Sequence, residues 1–285
     1  MKKKVVQFIR SAENLEKIIG NSEILAKKLD LDVKLLMVLE TRHPYFYPMT
    51  TTLHTGMETY QFEAMHAERK EEAEKVFDKF IKERKSGKGQ PQISYEILSG
   101  ATDLILIDAS GQSDTFMILV NESQEPEQGF IINTYLNTLE KISCPILKVP
   151  EKKNFTNLGK ILYATDYKEE DLTTLSKLAD IAAPFQAEIT TLHVTDSVDL
   201  EDKIKSRGFE ETLHDKIGYD KISFAVRQDE NVVDGIMEYA RSGKFDMIVL
   251  LKENRNFLQR LFTKSDSNKI LSEADIPVMV FQQES

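Results

Sequence analysis

The sequence predicts two tandem copies of an open, parallel, five-stranded α/β sandwich. Three observations carry this: an internal repeat, short apolar strands alternating with amphipathic helices, and a polar linker between the copies. The repeat shows at its ends. Asp114-Thr-Phe-Met-Ile-Leu119 is followed, 31 residues after its aspartate, by Pro145 in Cys144-Pro-Ile-Leu-Lys-Val149. Asp246-Met-Ile-Val-Leu-Leu251 is followed at the same spacing of 31 by Pro277 in Ile276-Pro-Val-Met-Val280. The starts match as well, Lys4-Val-Val-Gln-Phe-Ile9 with Lys160-Ile-Leu-Tyr-Ala-Thr165. A repeat of this length means one supersecondary unit written twice.

In the first copy the pattern predicts strands at 5–9, 33–39, 93–98, 116–120 and 146–149, and helices at 15–29, 57–85, 104–109 and 131–142. In the second, strands fall at 160–165, 189–194, 222–227, 247–251 and 278–281. Helices fall at 169–183, 198–217, 231–242 and 268–273. Leu172, Leu175, Leu178, Ala179 and Ala182 recur at helical spacing. Strands that are apolar throughout and separated by helices imply a parallel sheet covered on both faces. The linker from Pro150 to Gly159 is polar, starts with proline and ends with glycine, as a boundary should. The domains are therefore drawn at 1–150 and 151–285. The first carries about 24 extra residues, placed at His43–Phe62.

Composition bounds the function. The 285 residues carry 37 Lys+Arg against 47 Asp+Glu, a net charge of −10, which argues against nucleic acid as partner. No apolar run approaches the roughly 18–20 residues of a membrane span. The single cysteine, Cys144, rules out an internal disulfide and reads as a packing residue. The start lacks a signal-peptide core, so the expected compartment is the cytoplasm. No serine-hydrolase elbow, zinc-protease motif or Walker loop occurs, His193 reads as structural, and no enzyme is expected.

Ala164-Thr165-Asp166 closes the first strand of copy two, Leu192-His193-Val194 the second. Asp246-Met-Ile-Val-Leu250 opens the fourth, and Ala274-Asp-Ile-Pro-Val-Met-Val280 leads into the fifth. With these motifs the chain resembles the universal stress proteins, as a tandem member. The resemblance implies a Rossmann-like sandwich of the adenine nucleotide alpha hydrolase type. In nucleotide-binding members, ATP lies in the crevice where strands one and four diverge. Their signature is a glycine, two residues, a second glycine, nine residues, then Gly-Ser or Gly-Thr. Glycine lets the backbone approach phosphate and offer its N–H groups.

The chain departs from that signature in both copies. Leu251, Asn254 and Lys264 stand at the glycine positions of copy two, followed by Ser265; Leu119, Glu122 and Ile132, followed by Asn133, stand in copy one. Copy one also has Arg10 where copy two has Asp166, the carboxylate that faces adenine in binding members. Thr165, Asp166, Val194 and Ser265 match the family's nucleotide positions. Arg255 and Lys264, with Lys252, Arg260 and Lys269, supply cations that could substitute for lost backbone donors.

The leading expectation is a non-catalytic stress-response binding or scaffold protein that has lost ATP binding and carries no cofactor. Its two copies dock as an internal pseudo-dimer through their fifth strands, and two chains form a homodimer; neither nucleic acid nor membrane is a partner. One alternative is an ATP or AMP sensor using only the C-terminal domain, through Thr165, Asp166, Val194, Arg255, Lys264 and Ser265. The other is a small-ligand or metal-binding module at the aromatic insert with His43, His54 and His66. The spacings of 11 and 12 residues between these histidines match no compact ligand motif, and no metal is expected.

Overall fold

The computed structural model describes residues 2–13, 15–40, 56–84, 87, 89–121, 138, 141–150, 158–197, 200–252 and 274–283. The chain divides into two compact units, and the division falls between Ser143 and Cys144.

The first unit runs β1 (Lys4–Ile9), α1 (Leu15–Leu29), β2 (Asp32–Glu40), α2 (Gly56–Glu83), β3 (Ile93–Gly100), α3 (Thr102–Gly111) and β4 (Thr115–Asn121). Its strands are ordered β3-β2-β1-β4 and every pairing is parallel. The central strands are buried along their length, as their continuous apolar sequence requires: Val33, Leu35 and Leu36 of β2 and Met117, Ile118 and Leu119 of β4 have no exposure. α2 turns Ala73, Phe77 and Phe80 inward at helical spacing, and Phe77 stacks on Tyr95 of β3. Met65 and Val76 of the same helix are exposed. Val76 precedes Phe77 by one residue, a turn of about 100° that carries it off the buried face.

The second unit runs β5 (Ile146–Val149), β6 (Lys160–Ala164), α4 (Glu169–Ala182) with a 3-10 turn at Ala183–Phe185, and β7 (Glu188–Thr195). It continues through α5 (Leu200–Lys216), β8 (Ile222–Gln228), α6 (Val232–Ser242), β9 (Met247–Lys252) and β10 (Val278–Gln282). Its strand order is β5-β10-β9-β6-β7-β8. All pairings are parallel except β5 with β10, which run antiparallel with Leu147 opposite Met279. That ladder is why the compact units divide at Ser143/Cys144 whereas the repeat divides the chain at 150/151. The helices expected at 131–142 and 268–273 lie almost wholly or wholly outside the described residues.

The aspartates that announced the repeat do the same job by two chemistries. Asp246, just before β9, accepts from the backbone N–H groups of Gly159 (2.7 Å) and Lys160 (2.8 Å), clasping the start of β6. Asp114, just before β4, accepts instead from the Lys4 side chain at 2.7 Å, while the Lys4 N–H reaches the Asp114 carbonyl. Each fixes the first strand of its unit against the fourth. At α6, Asn231 caps the helix by accepting from Val233 N and Asp234 N.

Candidate functional site

In each unit the strand order reverses beside the first strand, with β1 between β2 and β4 and β6 between β7 and β9. Loops leave in opposite directions at such a point and open a crevice at the carboxyl ends of the strands, the usual ligand position in this architecture.

In the second unit, β6 stops at Ala164, paired with Leu192, while β7 continues through His193, Val194 and Thr195. Thr165 N donates to the Leu192 carbonyl at 3.0 Å, and the loop then turns over a buried carboxylate. Asp171, in the first turn of α4 and 2% exposed, accepts from Tyr163 Oη (2.5 Å), Thr165 Oγ1 (2.8 Å) and Lys168 N (3.0 Å). An acidic residue here also complements the helix N-terminus. The Thr165 hydroxyl, its proton given to Asp171, accepts from Tyr167 N at 2.9 Å. That bond helps hold Tyr167 at φ 58, a conformation unusual for a bulky residue. The Tyr167 ring packs on His193 (4.7 Å between centroids) and Phe209 (5.4 Å).

The carbonyl oxygen of Thr165 faces His193 Nδ1 at 2.9 Å. A carbonyl only accepts, so Nδ1 carries a proton and donates it to Thr165 O. Asp166 is half-buried in the crevice, its side chain one-third exposed between His193 Nδ1 (3.9 Å) and Lys168 Nζ (4.0 Å). Val194 turns to the opposite face of the sheet and packs against Gly235 of α6; a Cβ on Gly235 would come within 2.8 Å of it. The structure thus brings Thr165 and Asp166 together beside His193 and directs the Val194 side chain into the core. Arg255, Lys264 and Ser265 lie outside the described residues, as do His43 and His54 and the insert up to residue 55.

On the β9 side of the crevice, the strand runs on through the first glycine position of the family signature. Leu251, 3% exposed, pairs with Phe281, and Lys252 pairs with Gln282. Gln283 N then donates to the Lys252 carbonyl, and Gln283 Nε2 to Glu170 of α4 at 2.9 Å. The first unit is alike here: Leu119 is wholly buried in β4, paired with Gln7. It lacks the polar loop, since Ile9 and Leu15 replace Thr165 and Asp171, and Arg10 is exposed. Among the described residues no three His, Cys, Asp or Glu side chains gather as a metal site.

Sequence reasoning missed Asp171, Tyr163 and Tyr167. The available signal was an aspartate at the third position of a predicted helix, as in a capping box.

Residues 157–282 match the family model described as the Universal stress protein family. The second half of the chain thus carries a universal stress protein domain. Its fold is likewise that of known members. A universal stress protein from Archaeoglobus fulgidus DSM 4304 superposes with a TM-score of 0.65 at 13% identity, covering 98% of each chain. A putative universal stress protein from Pseudomonas aeruginosa UCBPP-PA14 gives 0.54 at 16% identity, covering 98% of this chain and 92% of that one. The cytoplasmic domain of a prokaryotic cation chloride cotransporter gives 0.55 at 8% identity, covering 99% and 96%. No curated protein matches the chain in sequence. The crevice of the second unit thus combines a hydrogen-bonded polar loop after β6 with an apolar ladder residue, Leu251, on β9. No helix among the described residues is long and apolar enough to cross a membrane.

Proposed function

We propose that this universal stress protein is a non-catalytic binding or scaffold protein in which both nucleotide crevices have lost the phosphate cradle. The observation that carries the reading is the burial of Leu251 and Leu119 within their fourth strands. Backbone committed to a sheet ladder has no N–H groups to turn toward phosphate, and a branched side chain in the core cannot be traded for the glycine turn the cradle needs. Thr165, whose hydroxyl matches a nucleotide position, has its proton engaged by Asp171.

The two copies act as an internal pseudo-dimer through their fifth strands. The antiparallel ladder of β5, the fifth strand of the first repeat, with β10, the fifth of the second, supports this. The likeness to a transporter's cytoplasmic domain is a reminder that this fold serves more than one role. The alternative, a nucleotide sensor using the second unit alone, rests on the half-buried carboxylate of Asp166 beside an ordered loop.

Native mass spectrometry of the gently purified chain separates these readings. The proposal expects the mass of the polypeptide alone. A co-purifying adenine nucleotide, lost in Asp166→Ala, would establish the sensor instead.

A further inference from the structure

We propose that the first unit holds a small double hydrogen-bond donor, a water molecule or an ammonium-type nitrogen, between the side-chain oxygens of Gln7 and Asn121. Gln7 lies in β1 with no exposure. Its Nε2 approaches two carbonyls, Phe8 O at 3.1 Å and Leu119 O at 3.4 Å. Carbonyls only accept, so the nitrogen must stand on that side and Oε1 is directed away from them. Asn121, the last residue of β4, donates from Nδ2 to the Ile18 carbonyl of α1 at 2.9 Å, which fixes its orientation in the same way. Both remaining oxygens are buried and accept no hydrogen bond from the described residues.

The two side chains share one face. Gln7 is the register partner of Leu119, and Asn121 follows Leu119 by two residues, so all three rise on the same side of the sheet. That side is covered by α1, as the bond to Ile18 shows. Diagonal neighbours on adjacent strands are within reach of long side chains. Two acceptors without a donor among the described residues call for a molecule that donates twice. An anion is repelled by both oxygens, and a metal cation would need several more oxygen ligands. Buried waters characteristically satisfy groups of this kind.

The second unit needs no such guest. Tyr163 occupies the position of Gln7 and spends its hydroxyl on Asp171; the first unit has Leu15 in place of that aspartate. The inference is independent of the nucleotide reading, because it concerns acceptors beneath α1 rather than phosphate donors.

A high-resolution crystal structure of the full chain tests it. The expected result is one density peak within hydrogen-bonding distance of both oxygens, absent in Asn121→Leu. No peak in the parent, or a peak that persists in Asn121→Leu, overturns the proposal. Thermal melts in ammonium chloride and in sodium chloride at matched ionic strength then name the donor. A saturable rise confined to ammonium and lost in Asn121→Leu assigns ammonium; equal midpoints with the peak present assign water.

Discussion

Two aspartates show how much a single side chain decides here. Asp171 gathers three donors in a buried setting, and charged hydrogen bonds left unmade inside a protein cost about 1.5–3 kcal/mol each. Asp171→Ala is expected to destabilise the chain by about 2–4 kcal/mol in urea unfolding, and to free the loop at Tyr167. Asp114 tests the repeat's other marker. The hydrogen bond from Lys4 holds its carboxyl below the ordinary carboxylate range, against an opposing push from burial. A depressed carboxylate contributes stability that is present above its unfolded value of about 3.9 and lost as pH falls through the folded one. The stability gap between the parent and Asp114→Asn should therefore be open at pH 6 and close progressively below about pH 4, as read from urea midpoints. A gap independent of pH would contradict the role of the Lys4 pair.

At the scale of elements, helix α2 gives two adjacent apolar residues opposite settings. Phe77 is fully buried against Tyr95, so Phe77→Ala should cost about 3–5 kcal/mol. Val76, 42% exposed, should tolerate alanine within about 0.5 kcal/mol. Helix α6 offers a case where propensity and packing oppose each other. Alanine in place of a helical glycine normally gains about 1 kcal/mol, but a Cβ on Gly235 would meet Val194 at 2.8 Å and Asp229 at 3.0 Å. Gly235→Ala is expected to lower the thermal midpoint, because moving α6 off β7 costs more than the propensity returns.

These elements also mark what the sequence made legible. Apolar runs such as Val33–Leu39 and Met247–Leu251 could be little other than buried strands, and the helix from Leu15 to Leu29 is observed with the bounds its spacing predicted. The arrangement at the end of β6 was not legible. Asp171 is six residues from Thr165 and eight from Tyr163, and only the loop's fold brings the three together. Gln7 was hidden for a similar reason: a lone glutamine in an apolar strand gives no sign of which carbonyls will surround it.

For the whole molecule, the consequential feature is that β10 is laddered on both sides, to β9 and to β5. An open strand edge invites pairing with another chain. A fragment of residues 144–285 keeps β5 over the edge of β10 and should self-associate more weakly in analytical ultracentrifugation than one without β5. A fragment of residues 151–285 bares that edge and should self-associate. Equal behaviour of the two would show that β5 is not what protects the edge of β10.

The fourth strands carry Leu119 and Leu251 in their ladders, and the proposed loss of a phosphate cradle rests on this. Isothermal titration of the full-length chain with ATP and magnesium tests this most directly. The prediction is no saturable heat up to about 1 mM nucleotide, weaker than about 4 kcal/mol of binding free energy. A one-to-one isotherm with micromolar affinity, abolished by Asp166→Ala, would contradict it.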